Sequence, residues 1–173
     1  VALIATAMNG TPLPQRHGFP ARLIVSGLYG YVSATKWLSR IELTTWEATE
    51  GYWIPRGWSK EAPVKLTSRI DVPQRSSISA GVTPIAGIAL SPSIGISRVE
   101  VSINDGPWQS AELGDHSNDN TWVQWHLPWH ATNGDHIIRV RAIDNDGNAQ
   151  DETPRSVAPD GATGYHHRRV TVG

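Results

Sequence analysis

Beyond residue 78 the chain alternates apolar and polar positions in short runs separated by turn residues, the period-two signature of half-buried strands. Such runs cover 82–90, 97–103, 122–127, 136–144 and 167–172. The alternation at 97–103 is strict and puts Val99, Val101 and Ile103 on one face. At 122–127, Trp122, Gln124 and His126 share one face and Val123, Trp125 and Leu127 the other. The run at 136–144 turns Ile138, Val140 and Ala142 inward and Arg139 and Arg141 outward. Asn104-Asp105-Gly106 has the chemistry of a hairpin turn, because Asn and Gly tolerate positive φ, and 108–113 reads as the returning strand. Asn145 to Asn148 is a further turn, and no convincing helix occurs in this half. The pattern predicts an antiparallel β-sandwich of about seven strands.

The first part of the chain reads differently. Residues 1–5 form a short apolar segment, either a buried strand or the end of a helix, and 21–25 is a strand candidate with Arg22 as its single charge. Residues 38–44 alternate as a half-exposed strand, 45–50 suit a short helical turn, and 51–58 are irregular and aromatic. Arg56 in that stretch has two readings, facing a substrate pocket or stacking on Trp53 or Trp58. Residues 74–79 are polar and serine-rich. This stretch marks a domain boundary near 71–77, ahead of the sandwich.

Residues 8–37 contain three prolines, four glycines, one isolated histidine and an arginine within an apolar run, too much punctuation for one helix. Their chemistry is a set of donors: the His17 imidazole, the Arg22 guanidinium, the Lys36 ammonium and the hydroxyls of Ser33 and Thr35. No carboxylate occurs from Val1 to Ile41. An arginine on a strand with a lysine on a nearby loop suits a phosphate or another oxyanion, since Arg grips it bidentately and Lys adds a point charge. A solvated surface loop explains the same residues.

The ordered string Met8-Asn9-Gly10, Pro12-Leu13-Pro14, His17-Gly18-Phe19-Pro20, Arg22, Gly27, Gly30 and Lys36-Trp37-Leu38 resembles the end of the molybdopterin-binding domain of the sulfite oxidase family. The resemblance implies that His17, Arg22, Ser33, Thr35 and Lys36 are cofactor-binding, largely toward the pterin phosphate. Residues 65–73 resemble that family's crossing into its last domain, so the resemblance implies a division into 1–72, the partial tail of an α+β molybdopterin-binding domain, and 73–173, the sandwich. Arg98 to Ser102, Asp105 to Trp108, Ile143-Asp144, Gly147-Asn148 and Tyr165 to Val170 resemble the immunoglobulin-like domain that ends it. Taken together, the two matches imply a molybdenum oxidoreductase acting on a small oxyanion-type substrate, paired as a homodimer. The family holds molybdenum through a cysteine upstream of the matched motif. This chain has no cysteine, so the expectation is that the ligating cysteine lies in an upstream part of the same polypeptide and that the chain alone is inactive.

Composition narrows the alternatives. Net charge is −1 and charged residues are 18%, so there is no polybasic footprint and nucleic acid is not an expected partner. Without cysteine no disulfide is available, and neither charge nor cysteine usage selects a compartment. His126 and His130 are four apart, but Pro128 between them removes the helical face that would aim both at one ion. Asp144 to Asn148 superficially follows a calcium loop, yet its twelfth position is Arg155 rather than Glu. A different class remains open: a non-catalytic immunoglobulin-like interaction module whose eight tryptophans serve assembly.

Overall fold

A computed structural model describes all 173 residues, Val1–Gly173. The chain divides into two compact units: Val1–Val64 with Ser156–Gly161, and Lys65–Arg155 with Ala162–Gly173. The division falls before residue 67, earlier than the expected break after 72, because the strand at Thr67–Val72 is paired within the second unit.

In the first unit, β1 (Ala2–Ala5), β2 (Ala7–Met8), β3 (Thr11–Pro12) and β4 (Arg22–Val25) are followed by one helical turn, α1 (Gly30–Ser33), and β5 (Ala34–Thr35). β1, β4 and β5 form a three-stranded sheet in that order, and β2 and β3 a small hairpin. Asn9 (φ 52°) and Gly10 (φ 77°) close that hairpin, the left-handed pair its turn requires. Only Leu13 and Ala62 are buried apolar residues in this unit. Leu3 and Ile4 project to opposite faces of β1, yet they are 49% and 53% exposed. The expected strand at 38–44 does not form, while the turn expected at 45–50 is present as a single hydrogen-bonded turn at 46–48, closed by the Ala48 N–H to the Thr45 carbonyl at 3.3 Å. Leu43 in the 38–44 run is 97% exposed, so no neighbour rewards the alternation with burial.

The second unit is the predicted sandwich. It contains β6 (Thr67–Val72), β7 (Ser77–Ile78), β8 (Gly81–Leu90), β9 (Ile96–Ile103), β10 (Gln109–Ser110), β11 (Glu112–Leu113), β12 (Val123–Ala131), β13 (Gly134–Asp144) and β14 (His166–Val172). One sheet runs β10-β9-β13-β14-β7, the other β11-β12-β8-β6. All pairings are antiparallel except β14 with β7. The inward residues named from the sequence meet in one core, where Val99, Val101, Val123, Trp125, Ile138, Val140 and Ala142 are joined by Ile70, Ile85 and Val170. The architecture is an immunoglobulin-like antiparallel β-sandwich.

Two details depart from the reading at 108–131. The returning segment is two strands: Gln109 and Ser110 pair with β9 in one sheet, and Glu112 and Leu113 pair with β12 in the other. The chain changes sheets at Ala111, whose N–H still reaches the Val99 carbonyl at 2.9 Å. β12 also runs straight through Pro128, which lies opposite Pro84 of β8. A proline has no N–H for a ladder. Here both lie past the outer strands, since β11 pairs only to residues 125 and 126 and β6 pairs no further along β8 than Ala86.

Candidate cofactor-binding site

The first unit brings together two loops that the sequence separates. Pro14 holds the chain extended (φ −59°, ψ 149°) before a single 3-10 turn at Gln15–His17, which Gly18 ends in the left-handed region at φ 115°. The chain passes Phe19-Pro20 and enters β4 at Arg22. The other loop leaves β5 through Lys36 and Trp37, whose φ is 55°.

Three bonds tie these loops. Lys36 Nζ donates to the Arg16 carbonyl at 3.0 Å, and Trp37 Nε1 donates to the Gln15 carbonyl at 2.9 Å. The Leu38 N–H reaches the Ala21 carbonyl at 2.9 Å. Gly18 is buried between them. A Cβ on Gly18 would lie 3.2 Å from Arg22 Cβ and 3.3 Å from Lys36 Cα, so only glycine lets the Arg22 and Lys36 backbones approach this closely. Sequence reasoning placed Gly18 in a corner and missed this spacer role. The available signal was its position between a histidine and an aromatic-proline pair.

The five candidate residues fall into distinct environments. Arg22 is half-buried, and its Nε is shut from solvent without a hydrogen-bond partner. His17 is half-buried at the end of its turn, and Lys36 is exposed. Thr35 is exposed and faces Leu23 in register on the β4–β5 pair. Ser33 stands apart from the others in being buried, with its hydroxyl donating to the Leu28 carbonyl at 3.0 Å. That bond shapes the loop rather than offering a donor to a ligand. The first carboxylate in the chain, Glu42, is taken by Arg40, so nothing acidic from 1–41 competes for Arg22 or Lys36. Arg22 and Lys36 thus place two cations on neighbouring segments, a chemistry able to hold an oxyanion.

Elsewhere in the same unit, Arg56 resolves its two readings against both expected rings. Its guanidinium stacks on Tyr52, 3.7 Å from the ring centroid, and donates to the Tyr52 carbonyl at 2.6 Å. Trp53 and Trp58 instead pack on each other at 6.1 Å, and Trp58 also packs on Tyr31 at 4.9 Å.

A partial sheet carrying the Arg22 and Lys36 cations, followed in the chain by an immunoglobulin-like sandwich, defines a protein of the molybdopterin-domain class, and comparison with known proteins agrees. Residues 1–53 match the family model of the oxidoreductase molybdopterin binding domain. Mitochondrial sulfite oxidase of Rattus norvegicus is 32% identical over 183 residues, covering 91% of this chain and 33% of that protein. The uncharacterized oxidoreductase YuiH of Bacillus subtilis (strain 168) is 44% identical over 57 residues, 33% of this chain and 28% of that protein. Among solved structures, the sulfane dehydrogenase SoxCD from Paracoccus pantotrophus superposes with a TM-score of 0.73 at 24% identity, over 100% of this chain and 51% of that one; this likeness speaks to the fold. The chain belongs to the sulfite oxidase-like family of molybdopterin oxidoreductases. It spans about a third to a half of the length of the curated relatives it matches along most of its own length.

Proposed function

We propose that this chain is part of a molybdopterin-dependent oxidoreductase similar to sulfite oxidase, in which the first unit completes the cofactor pocket and the sandwich supports homodimerisation. The observation that carries this reading is the Arg22 Nε, buried and without a partner. Leaving a buried charged donor unsatisfied costs free energy that a bound anion removes. The pterin phosphate is such an anion. Arg22 would grip it bidentately and Lys36, already held by the Arg16 carbonyl, would add a point charge. His17 and the Thr35 hydroxyl would supply further hydrogen bonds, while Ser33 keeps the loop in shape.

When bound, the molybdenum cofactor supplies oxygen-atom transfer to or from a small oxyanion-type substrate. The chain's share is to hold and orient the pterin and neutralise its charge. With no cysteine in the 173 residues, a thiolate ligand for molybdenum would come from an upstream part of the polypeptide, and this chain alone would be catalytically silent. The exposed Leu3 and Ile4 on both faces of β1 favour such a companion segment, because a sheet open on both sides leaves its apolar surface in water. The lack of cysteine also supports a second reading, a non-catalytic assembly module.

The test is pterin content, read as fluorescence of the released pterin, in the native gene product made in a cofactor-competent host. Arg22→Ala is expected to lose most of it, with Arg22→Lys retaining a part and the sandwich unfolding at the same denaturant concentration in both. Unchanged pterin in Arg22→Ala overturns the assignment of Arg22. Absence of pterin from the wild type selects the assembly module.

A further inference from the structure

Strand β6 is the outer strand of its sheet, and such an edge normally leaves backbone groups open. Two side chains of β14 close it. The Ile70 N–H donates to His166 Nδ1 at 3.1 Å, and the Ile70 carbonyl accepts from Arg168 Nε at 3.3 Å. Arg168 Nη1 also donates to the Gln74 carbonyl at 3.2 Å.

These ties leave donors to spare. Because His166 Nδ1 accepts, its proton resides on Nε2, which is a donor. Arg168 keeps Nη2, and neither His167 nor Arg169 is engaged in an ion pair. Gln74, Ser76, His166, His167, Arg168 and Arg169 line an open pocket of about 400 Å³. No carboxylate lines it. Asp71, the nearby acid, is held by Arg69 at 2.7 Å. Burial, followed by the charges of Arg168, His167 and Arg69 and opposed by Asp71, keeps the His166 imidazole below its ordinary pKa. The lining itself carries two guanidinium groups.

We propose that this pocket binds a free tetrahedral divalent oxyanion of the sulfate or phosphate class. The pocket is lined from two sides, by the strand His166–Arg169 and the segment Gln74–Ser76. On the strand, His166 and Arg168 lie on one face and His167 and Arg169 on the other, so the donors are presented in several directions and suit an acceptor with oxygens in four directions better than a planar carboxylate with two. The site lies wholly in the sandwich unit and does not depend on the pterin reading.

The experiment titrates the isotopically labelled chain with sodium sulfate, sodium phosphate and sodium chloride at matched ionic strength, following backbone amide shifts. Localised shifts are the readout because sulfate raises the stability of any protein by exclusion from its surface. The expected result is saturable change at residues 74–76 and 166–169 with sulfate and phosphate and none with chloride. A His167→Gln, Arg169→Gln double variant, which leaves both ties to Ile70 intact, should weaken binding about tenfold or more. Equal response to chloride, shifts that never saturate, or unchanged affinity in the double variant would overturn the proposal.

Discussion

The two units solve the problem of burial in opposite ways. The sandwich owns a closed core of fifteen buried apolar residues drawn from both its sheets. The first unit buries two, Leu13 and Ala62, while it carries fifteen of the eighteen exposed large apolar side chains. This contrast separates a unit with a self-sufficient core from one whose apolar surface is open. Where the core is complete, each inward position is explained by its neighbours. Where it is open, the Gln15–His17 turn and the Lys36–Trp37 loop are held to each other by polar ties, with Gly18 as the spacer between them.

Side chains removed from the two units should therefore have unequal effects. Trp125, 2% exposed in the sandwich core, should cost about 3–5 kcal/mol on change to Ala, read as a lowered denaturation midpoint. A second core probe is Gly87→Ala. Its Cβ would fall 1.8 Å from the Arg69 carbonyl oxygen and 2.8 Å from Trp125 Cζ2, so the expected cost is about 3 kcal/mol or more.

Gly18→Ala in the first unit meets softer contacts but a φ of 115°. A loss of about 1–3 kcal/mol is expected from backbone strain, together with reduced pterin, since Arg22 and Lys36 must move apart. If pterin is retained at full level, Gly18 is a corner and not a spacer.

A pH titration probes the sandwich alone. The folded His166 has a lowered pKa, through burial first and then its cationic neighbours. Above the unfolded histidine value, about 6.5, both states are neutral and nothing changes. As pH falls below it, the unfolded state takes up the proton first, so stability declines until the folded pKa is passed. In His166→Gln the decline between pH 6.5 and the acid limb should be shallower, about 6.5 being the unfolded histidine value. An identical slope would mean that His166 has no part in the acid sensitivity. The smallest effect belongs to Leu3→Ala. At 49% exposure it should change the stability of the chain by no more than about 0.5 kcal/mol; a loss approaching that of Trp125 would erase the contrast between the units.

Legibility in the sequence followed the same divide. In the sandwich, alternation alone placed Val99, Val101, Ile138 and Val140 correctly, because a period-two pattern with one buried face admits one register. It failed at Ala111, where the chain changes sheets without any break in pattern, and at Pro128, whose tolerance depends on where β11 ends. In the first unit the strand expected at 38–44 did not form, since alternation has no force without a surface to pack on. The candidate donors were visible as residue types. Their convergence was not, because it rests on the Gly18 close approach and on the Trp37 indole reaching the Gln15 carbonyl, contacts between loops about twenty residues apart in sequence.

Amide hydrogen exchange on the native gene product, isolated with and without its pterin, would show directly whether the first unit is the one that holds the cofactor. Pterin is expected to raise protection at residues 15–25 and 33–38 and to leave the strands of the sandwich core unchanged. Protection that rises only in the sandwich, or nowhere in the first unit, would contradict that assignment.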